Sequence, residues 1–258
     1  MIKYDQLSLQ NTLFVGKDLW HFPQLDSTNS FAQSLLTKTT PSDGTVISTY
    51  QQTAGKGQIG STWESEAEKN ITLSIILYPH FLLPKQQFWL TKVTALGVRQ
   101  FIADCVSQEV YIKWPNDIYI KDKKTSGILI QNTLSASTIQ STIVGIGLNV
   151  NQTNFSPALP NPTSLQLSSQ LVYDLDALRA QLCAIFEQYY LQLRAGKLQS
   201  IHQEYLNHLY RINQLASYES SDGQSFNGII RGISENGQLQ VEHNGRLKNF
   251  DLKAIRFR

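Results

Sequence analysis

The chain has 258 residues, with 22 Lys and Arg against 20 Asp and Glu and a formal net charge of +2. That length can bury a substantial core, and 41% apolar with 16% charged residues excludes a disordered chain. The near-neutral balance gives no electrostatic case for a dedicated nucleic-acid or membrane-surface binder. Cys105 and Cys183 are far apart in helix-like apolar surroundings, so two free thiols in a reduced compartment are expected, not a disulfide or metal framework. The start, MIKYDQLSLQ, lacks a cationic-then-apolar leader, and no apolar run is long enough to span a bilayer. The expected setting is the cytoplasm.

Residues 13–25, LFVGKDLWHFPQL, read as a short strand pair turning at Gly16-Lys17-Asp18. Asp26-Ser27-Thr28-Asn29 precede an amphipathic helix over 30–37. Small hydroxyl and amide side chains there serve as an N-cap, and the same groups can line a polar slot at the positive helix end. TVISTY (45–50) and ITLSIILY (71–78) are strands by β-propensity. Between them Gly55, Gly57 and Gly60 satisfy a G-x-G-x-x-G spacing. A dinucleotide site needs a helix directly after it and an acid about 20 residues on. The chain offers a turn-like stretch into a strand and no such acid, and no Lys-Ser/Thr pair for a phosphate loop. What remains is a flexible glycine-rich crossing whose backbone can approach a ligand, with Lys56 supplying charge.

Residues 86–106 predict a buried supporting helix, apolar on much of its circumference. Thr138–Val150 is a strand thinned by Gly145 and Gly147 and ending near Asn149, followed by a polar, proline-rich loop over 152–162. Helices over 175–193, capped by Asp174, and 198–209 supply packing surface. The 5 histidines form no metal-spaced cluster. From about Ala216 short strands and tight turns, two of them with Asn-Gly pairs at 236–237 and 244–245, predict a small β-barrel.

The stretch Lys113–Gln131, KWPNDIYIKDKKTSGILIQ, reads as a β-hairpin. Pro115 ends one strand at Lys113-Trp114, the charges Lys121-Asp122-Lys123-Lys124 form a turn, and Gly127 opens the next strand. Cations flanking buried strands can aim at an anion.

Asp26–Asn29, the glycine loop with Trp63, KWPND followed by K-x-x-G-I-L, and Gly145–Asn149 resemble, in order and spacing over roughly residues 13–165, the biotin protein ligases. The resemblance implies an α+β fold of class II synthetase type, with a mixed or antiparallel sheet packed with helices over 1–212 and an SH3-like β-barrel over 213–258. It implies the short form, with no room before residue 13 for a DNA-binding helix-turn-helix, so neither DNA nor a membrane is an expected partner.

The implied reaction joins biotin to ATP as biotinyl-AMP, with Mg²⁺. It then transfers biotin to a lysine of the biotin carboxyl carrier domain of acetyl-CoA carboxylase. The enzyme would be a monomer or a homodimer. By the same resemblance Ser27, Thr28, Asn29, Gln52 and Gly127 meet biotin, Lys56, Gly57 and Gln58 close over biotin and adenylate, and Lys124 bridges carboxylate and phosphate. Lys113, Asn116 and Asn149 fall on the nucleotide side and Trp63 anchors the loop. Lys124 and Lys56 are the implied catalytic residues; the metal ligands are open. Many relatives have Arg where this chain has Lys56 and Gln58, and often at Ile59. A lipoate ligase or octanoyl transferase, or a non-catalytic biotin sensor, remains the alternative.

Overall fold

A computed structural model of the chain describes residues 3–58 and 60–258. In chain order the elements are β1 (Asp5–Leu7), β2 (Leu19–Leu25), α1 (Thr28–Leu36), β3 (Val46–Gln52), β4 (Asn70–Leu77) and, after a 3-10 turn, α2 (Phe88–Cys105). Then come β5 (Val110–Lys113), β6 (Asp117–Ile120), β7 (Lys123–Leu134), β8 (Ile139–Asn149), α3 (Leu165–Ser169), α4 (Leu175–Arg194) and α5 (Leu198–Asn207). The chain ends in β9 (Leu215–Ser220), β10 (Ser225–Ile233), β11 (Leu239–His243), β12 (Arg246–Phe250) and β13 (Ile255–Phe257).

The first eight strands form one mixed sheet in the order β1-β2-β3-β4-β8-β7-β6-β5, in which β2 and β3 run parallel. β4 is buried along its whole length because both faces are covered. Leu73, Ile75 and Leu77 join Leu96, Phe101 and Phe186 of α2 and α4 in the main core. Ile76, with Ile47 and Ile143, packs on Ala32 and Phe31 of α1 on the other side. Such two-sided burial explains the nearly continuous apolar run of β4. The last five strands form a separate antiparallel sheet, β12-β11-β10-β9-β13. This matches the SH3-like expectation, although among the described residues the ladder stays open, with β12 and β13 at its edges. Asn244 and Gly245 both take positive φ (51° and 71°), the two-residue hairpin turn their sequence calls for. No helix among the described residues is long and apolar enough to cross a membrane.

Two expectations need correction. Residues 13–15, the expected first strand of the pair, are not a strand: the N–H groups of Leu13, Phe14 and Val15 donate to the buried Glu187 carboxylate of α4 at 2.6, 2.7 and 2.8 Å. A side chain remote in sequence thus takes the backbone donors a ladder would have used, and β2 pairs instead with β1 and β3. The stretch 113–131 is not one hairpin but two. The chain turns at Trp114-Pro115-Asn116, through a cis Trp114–Pro115 bond, and again at Lys121-Asp122, where Lys121 takes φ 53°. Lys123 and Lys124 therefore belong to β7, not to the turn.

Candidate active site

The start of α1 builds the floor of a cavity. Ser27 caps the helix, its Oγ accepting from Ser30 N at 3.4 Å. Thr28 donates through N and Oγ1 to Gln52 Oε1 at 2.8 and 3.2 Å. Ser74 Oγ, on β4, lies 2.8 Å from Thr28 Oγ1 and 2.6 Å from Asn29 Oδ1. Asn29 Nδ2 donates to Gln131 Oε1 at 3.0 Å and Leu129 O at 3.3 Å. Ser27, Thr28 and Asn29 are all buried, so the cap and the polar slot are the same group of residues. A Cβ on Gly145 would sit 2.1 Å from Asn29 Oδ1, which is why glycine stands there.

The glycine loop is more ordered than its sequence suggests. Lys56 bridges Thr62, Gly57 N donates to Ser61 O at 3.0 Å, Ser61 N to Gln58 O at 2.7 Å and Trp63 N to Gly55 O at 3.0 Å. Ile59 lies outside the described residues. The small hairpin delivers the Trp63 indole onto Gly127 and Gly147, which face each other in the β7–β8 ladder. A Cβ on Gly147 would lie 2.3 Å from the indole. Trp63 Nε1 is buried without a partner, a donor left for a ligand or water.

Lys124 is aimed by a β-bulge. Ser126 pairs with Ile118 but Lys124 pairs with Tyr119, leaving Thr125 as the extra residue. In a regular strand Lys124 would point away from Gly127, three positions on; the bulge turns it onto the face of Asp117 and Gly127. Its Nζ lies 2.7 Å from Asp117 Oδ1 and 5.9 Å from the Trp63 ring. Its backbone is held from outside the sheet: Lys124 N donates to Asn161 O at 2.8 Å, and Thr163 N to Lys124 O at 2.9 Å. The proline-rich loop, which sequence offers as a cover for a ligand, here clamps the backbone of Lys124.

One cavity gathers Ser27, Thr28, Asn29, Gln52, Lys56, Gly57, Gln58, Trp63, Asn116, Lys124 and Gly127. Asn116 braces its wall, donating through Nδ2 to Ile128 O at 2.5 Å while its own carbonyl accepts from Ile128 N. Lys113 is not in that wall. It lines an adjoining cavity with Arg211, Lys253, Arg256 and Arg258, and Gln58, Ser61, Asn116 and Asp117 belong to both. Burial lowers the Lys113 pKa while Asp117 raises it. Asn149 lines neither cavity: its Nδ2 donates to Thr163 O at 2.9 Å, and its buried Oδ1 has no partner.

Sequence reasoning passed over Asp117 and Ser74. A serine inside the apolar run of β4 was a visible signal; the cationic side chains of the last strand gave none, because only the fold brings them to Lys113.

The chain thus carries, on one mixed sheet, a capped polar slot, a glycine hairpin and a bulge-aimed lysine. The family described as Biotin/lipoate A/B protein ligase matches residues 21–149. The bifunctional ligase/repressor BirA of Bacillus subtilis is 31% identical over 240 residues, covering 92% of this chain and 73% of its own. The biotin–[acetyl-CoA-carboxylase] ligase of Mycobacterium tuberculosis is 28% identical, covering 94% of this chain and 91% of its own. Among solved structures, the biotin protein ligase from Aquifex aeolicus in complex with biotin and ATP superposes with a TM-score of 0.77 at 23% identity, covering 93% of this chain and 98% of that one. That likeness shows the fold. The chain belongs to the biotin/lipoate A/B protein ligase family.

Proposed function

We infer that this chain is an ATP-dependent biotin ligase that forms biotinyl-5'-AMP and transfers biotin to a lysine of the carrier domain of acetyl-CoA carboxylase. The observation that supports it most directly is the position of Lys124. Its ammonium lies at the wall between the polar slot and a basic cavity, and its partner Asp117 belongs to both.

The slot suits a small ring system bearing amide-like donors and acceptors. Gln52 has spent its carbonyl on Thr28, leaving its amide to donate, and Ser27 and Thr28 offer hydroxyls. The cationic cavity suits a triphosphate. In the first step a biotin carboxylate oxygen bonds to the α-phosphorus and pyrophosphate leaves with the electron pair of the broken P–O bond. In the second the carrier amine bonds to the acyl carbon, AMP leaves, and the amine loses a proton. Bringing carboxylate and phosphate within about 4 Å costs roughly 4 kcal/mol at intermediate dielectric. The Lys124 ammonium, fixed at both ends of its residue, offsets that repulsion and the charge that grows on the phosphorane. The loop bearing Lys56, Gly57 and Gln58 covers the junction and keeps water from the anhydride. Asn116 holds the wall beside it and Lys113 meets the phosphates. Asn149, turned from the cavity, would hold the nucleotide side only through Thr163 or by turning its free carbonyl.

Among the described residues no group of three His, Cys, Asp or Glu forms a metal cage. Magnesium is commonly held by one or two carboxylates and substrate phosphates, so Asp117 with the nucleotide fits such an ion. Such an ion would supply charge neutralisation at the phosphates.

Acyl transfer through cysteine is disfavoured: burial pushes the Cys105 thiol up to about 11 and the Cys183 thiol to about 12, and neither lines the site. The decisive experiment incubates the protein with ATP and an acetyl-CoA carboxylase carrier domain, with biotin in one arm and lipoate in the other. A lysine gaining the mass of biotin supports the reading; modification in the lipoate arm alone, or in neither, refutes it.

A further inference from the structure

The two rings around Lys113 come from distant parts of the chain. Its Nζ lies 5.2 Å from the centroid of Tyr119 on β6 and 5.1 Å from that of Phe257 on β13. Tyr210, after α5, backs both rings, with centroids 5.4 Å from Tyr119 and 6.3 Å from Phe257. An ammonium within about 6 Å of a ring face is attracted to it, the more so where water is excluded. Lys113 is therefore held in a partial aromatic cage, and one wall of that cage is Phe257 of β13.

That wall is firmly set. Phe257 pairs with Tyr218 in the β13–β9 ladder, and their rings meet edge to face at 5.4 Å. On either side Arg256 and Arg258 pair with Glu219, and Arg211 Nη1 donates to the Arg258 carbonyl at 2.8 Å. The C-terminal sheet thus reaches into the wall of the basic cavity through one ring.

We propose that Phe257 is a positioning residue for nucleotide use: its ring fixes the Lys113 ammonium at the basic cavity, so the last strand completes a site built on the first sheet. The proposal rests on the reading that Lys113 faces the phosphates of ATP.

The test measures KM for ATP and kcat by pyrophosphate release, and the biotin dissociation constant by calorimetry without ATP. The variants are Phe257→Leu, Phe257→Tyr, Lys113→Met and the Leu/Met double variant. Leucine keeps an apolar side chain and removes the ring face, so KM for ATP should rise roughly tenfold. Biotin affinity should hold within about twofold, which also reports an intact fold, and tyrosine should restore KM. In the Lys113→Met background the leucine change should add nothing, as for two residues acting through one contact. If leucine equals wild type, or adds its full effect without Lys113, the ring is packing alone and the proposal falls. Failure of the underlying reading looks different: wild type would release no pyrophosphate, or Lys113→Met would leave KM for ATP unchanged, and the proposal falls with it.

Discussion

Lys124 Nζ and Asp117 Oδ1 lie 2.7 Å apart only because β7 carries a bulge at Thr125. The pair holds a cation where, in the proposed reaction, two anions would meet, without using up all three of its donors. Replacing Lys124 by Ala should lower biotin- and ATP-dependent pyrophosphate release by about a hundredfold or more, as for loss of a preorganised transition-state donor. Biotin affinity should change far less. Near-normal release by the variant would remove Lys124 from the chemistry.

Gly147 faces the Trp63 indole at a distance that leaves no room for a methyl group. A Gly147→Ala change must displace either β8 or the glycine hairpin, and β8 is buried between β4 and β7. The hairpin should give way. Overpacking of this kind costs about 1–3 kcal/mol, enough to weaken biotin binding roughly five- to 150-fold. Titration calorimetry reads it directly, and unchanged affinity would mean that Trp63 does not seat the loop over the slot.

Gln58 borders both cavities but is neutral. Arginine presents a planar fork to phosphate and carboxylate that glutamine matches weakly. Gln58→Arg should slow release of the adenylate intermediate by an order of magnitude, roughly the gain of one charge-assisted hydrogen bond. Rapid gel filtration of preformed biotinyl-AMP complex measures the rate. An unchanged rate would show that retention is set elsewhere.

Much of this site was legible in sequence because its parts are local. Ser27, Thr28 and Asn29 both cap a helix and line the slot, and Lys124 and Gly127 sit in one motif. What sequence hid was non-local. The K-x-x-G spacing places Lys124 and Gly127 on opposite faces of any regular strand, and only the register shift joins them. Residues 13–15 have the texture of a strand but lose their donors to Glu187. Asn149 has the right motif position and points at Thr163. Phe257 has no local pattern at all.

Glu187 is a buried carboxylate whose neighbours are three backbone donors in a row. Hydrogen bonds to a charged acceptor are worth about 1.5–3 kcal/mol each, and orphaned buried donors cost comparably. Glu187→Ala should destabilise the fold by about 3 kcal/mol or more in urea titration, with opened amide exchange at Leu13–Val15. A loss below about 1 kcal/mol, the scale of an ordinary surface change, would show that water replaces the carboxylate freely.

His21 sits on β2 with its Nδ1 3.2 Å from Ser48 Oγ, its ring edge-on to Tyr50 and its Nε2 buried without a partner. Burial, reinforced by the Arg179 charge and opposed by Asp176 and Asp5, lowers its pKa from 6.5 to about 4. The unfolded chain therefore takes up this proton first. The stability contributed by neutral His21 is fully present above pH 6.5 and is lost as pH falls toward 4. Between pH 7 and pH 4.5 the linkage amounts to about 2–3 kcal/mol at most. Unfolding free energies of wild type and His21→Gln at both pH values test it. The variant should lose less stability than wild type on acidification, and equal losses would assign the acid limb to other groups.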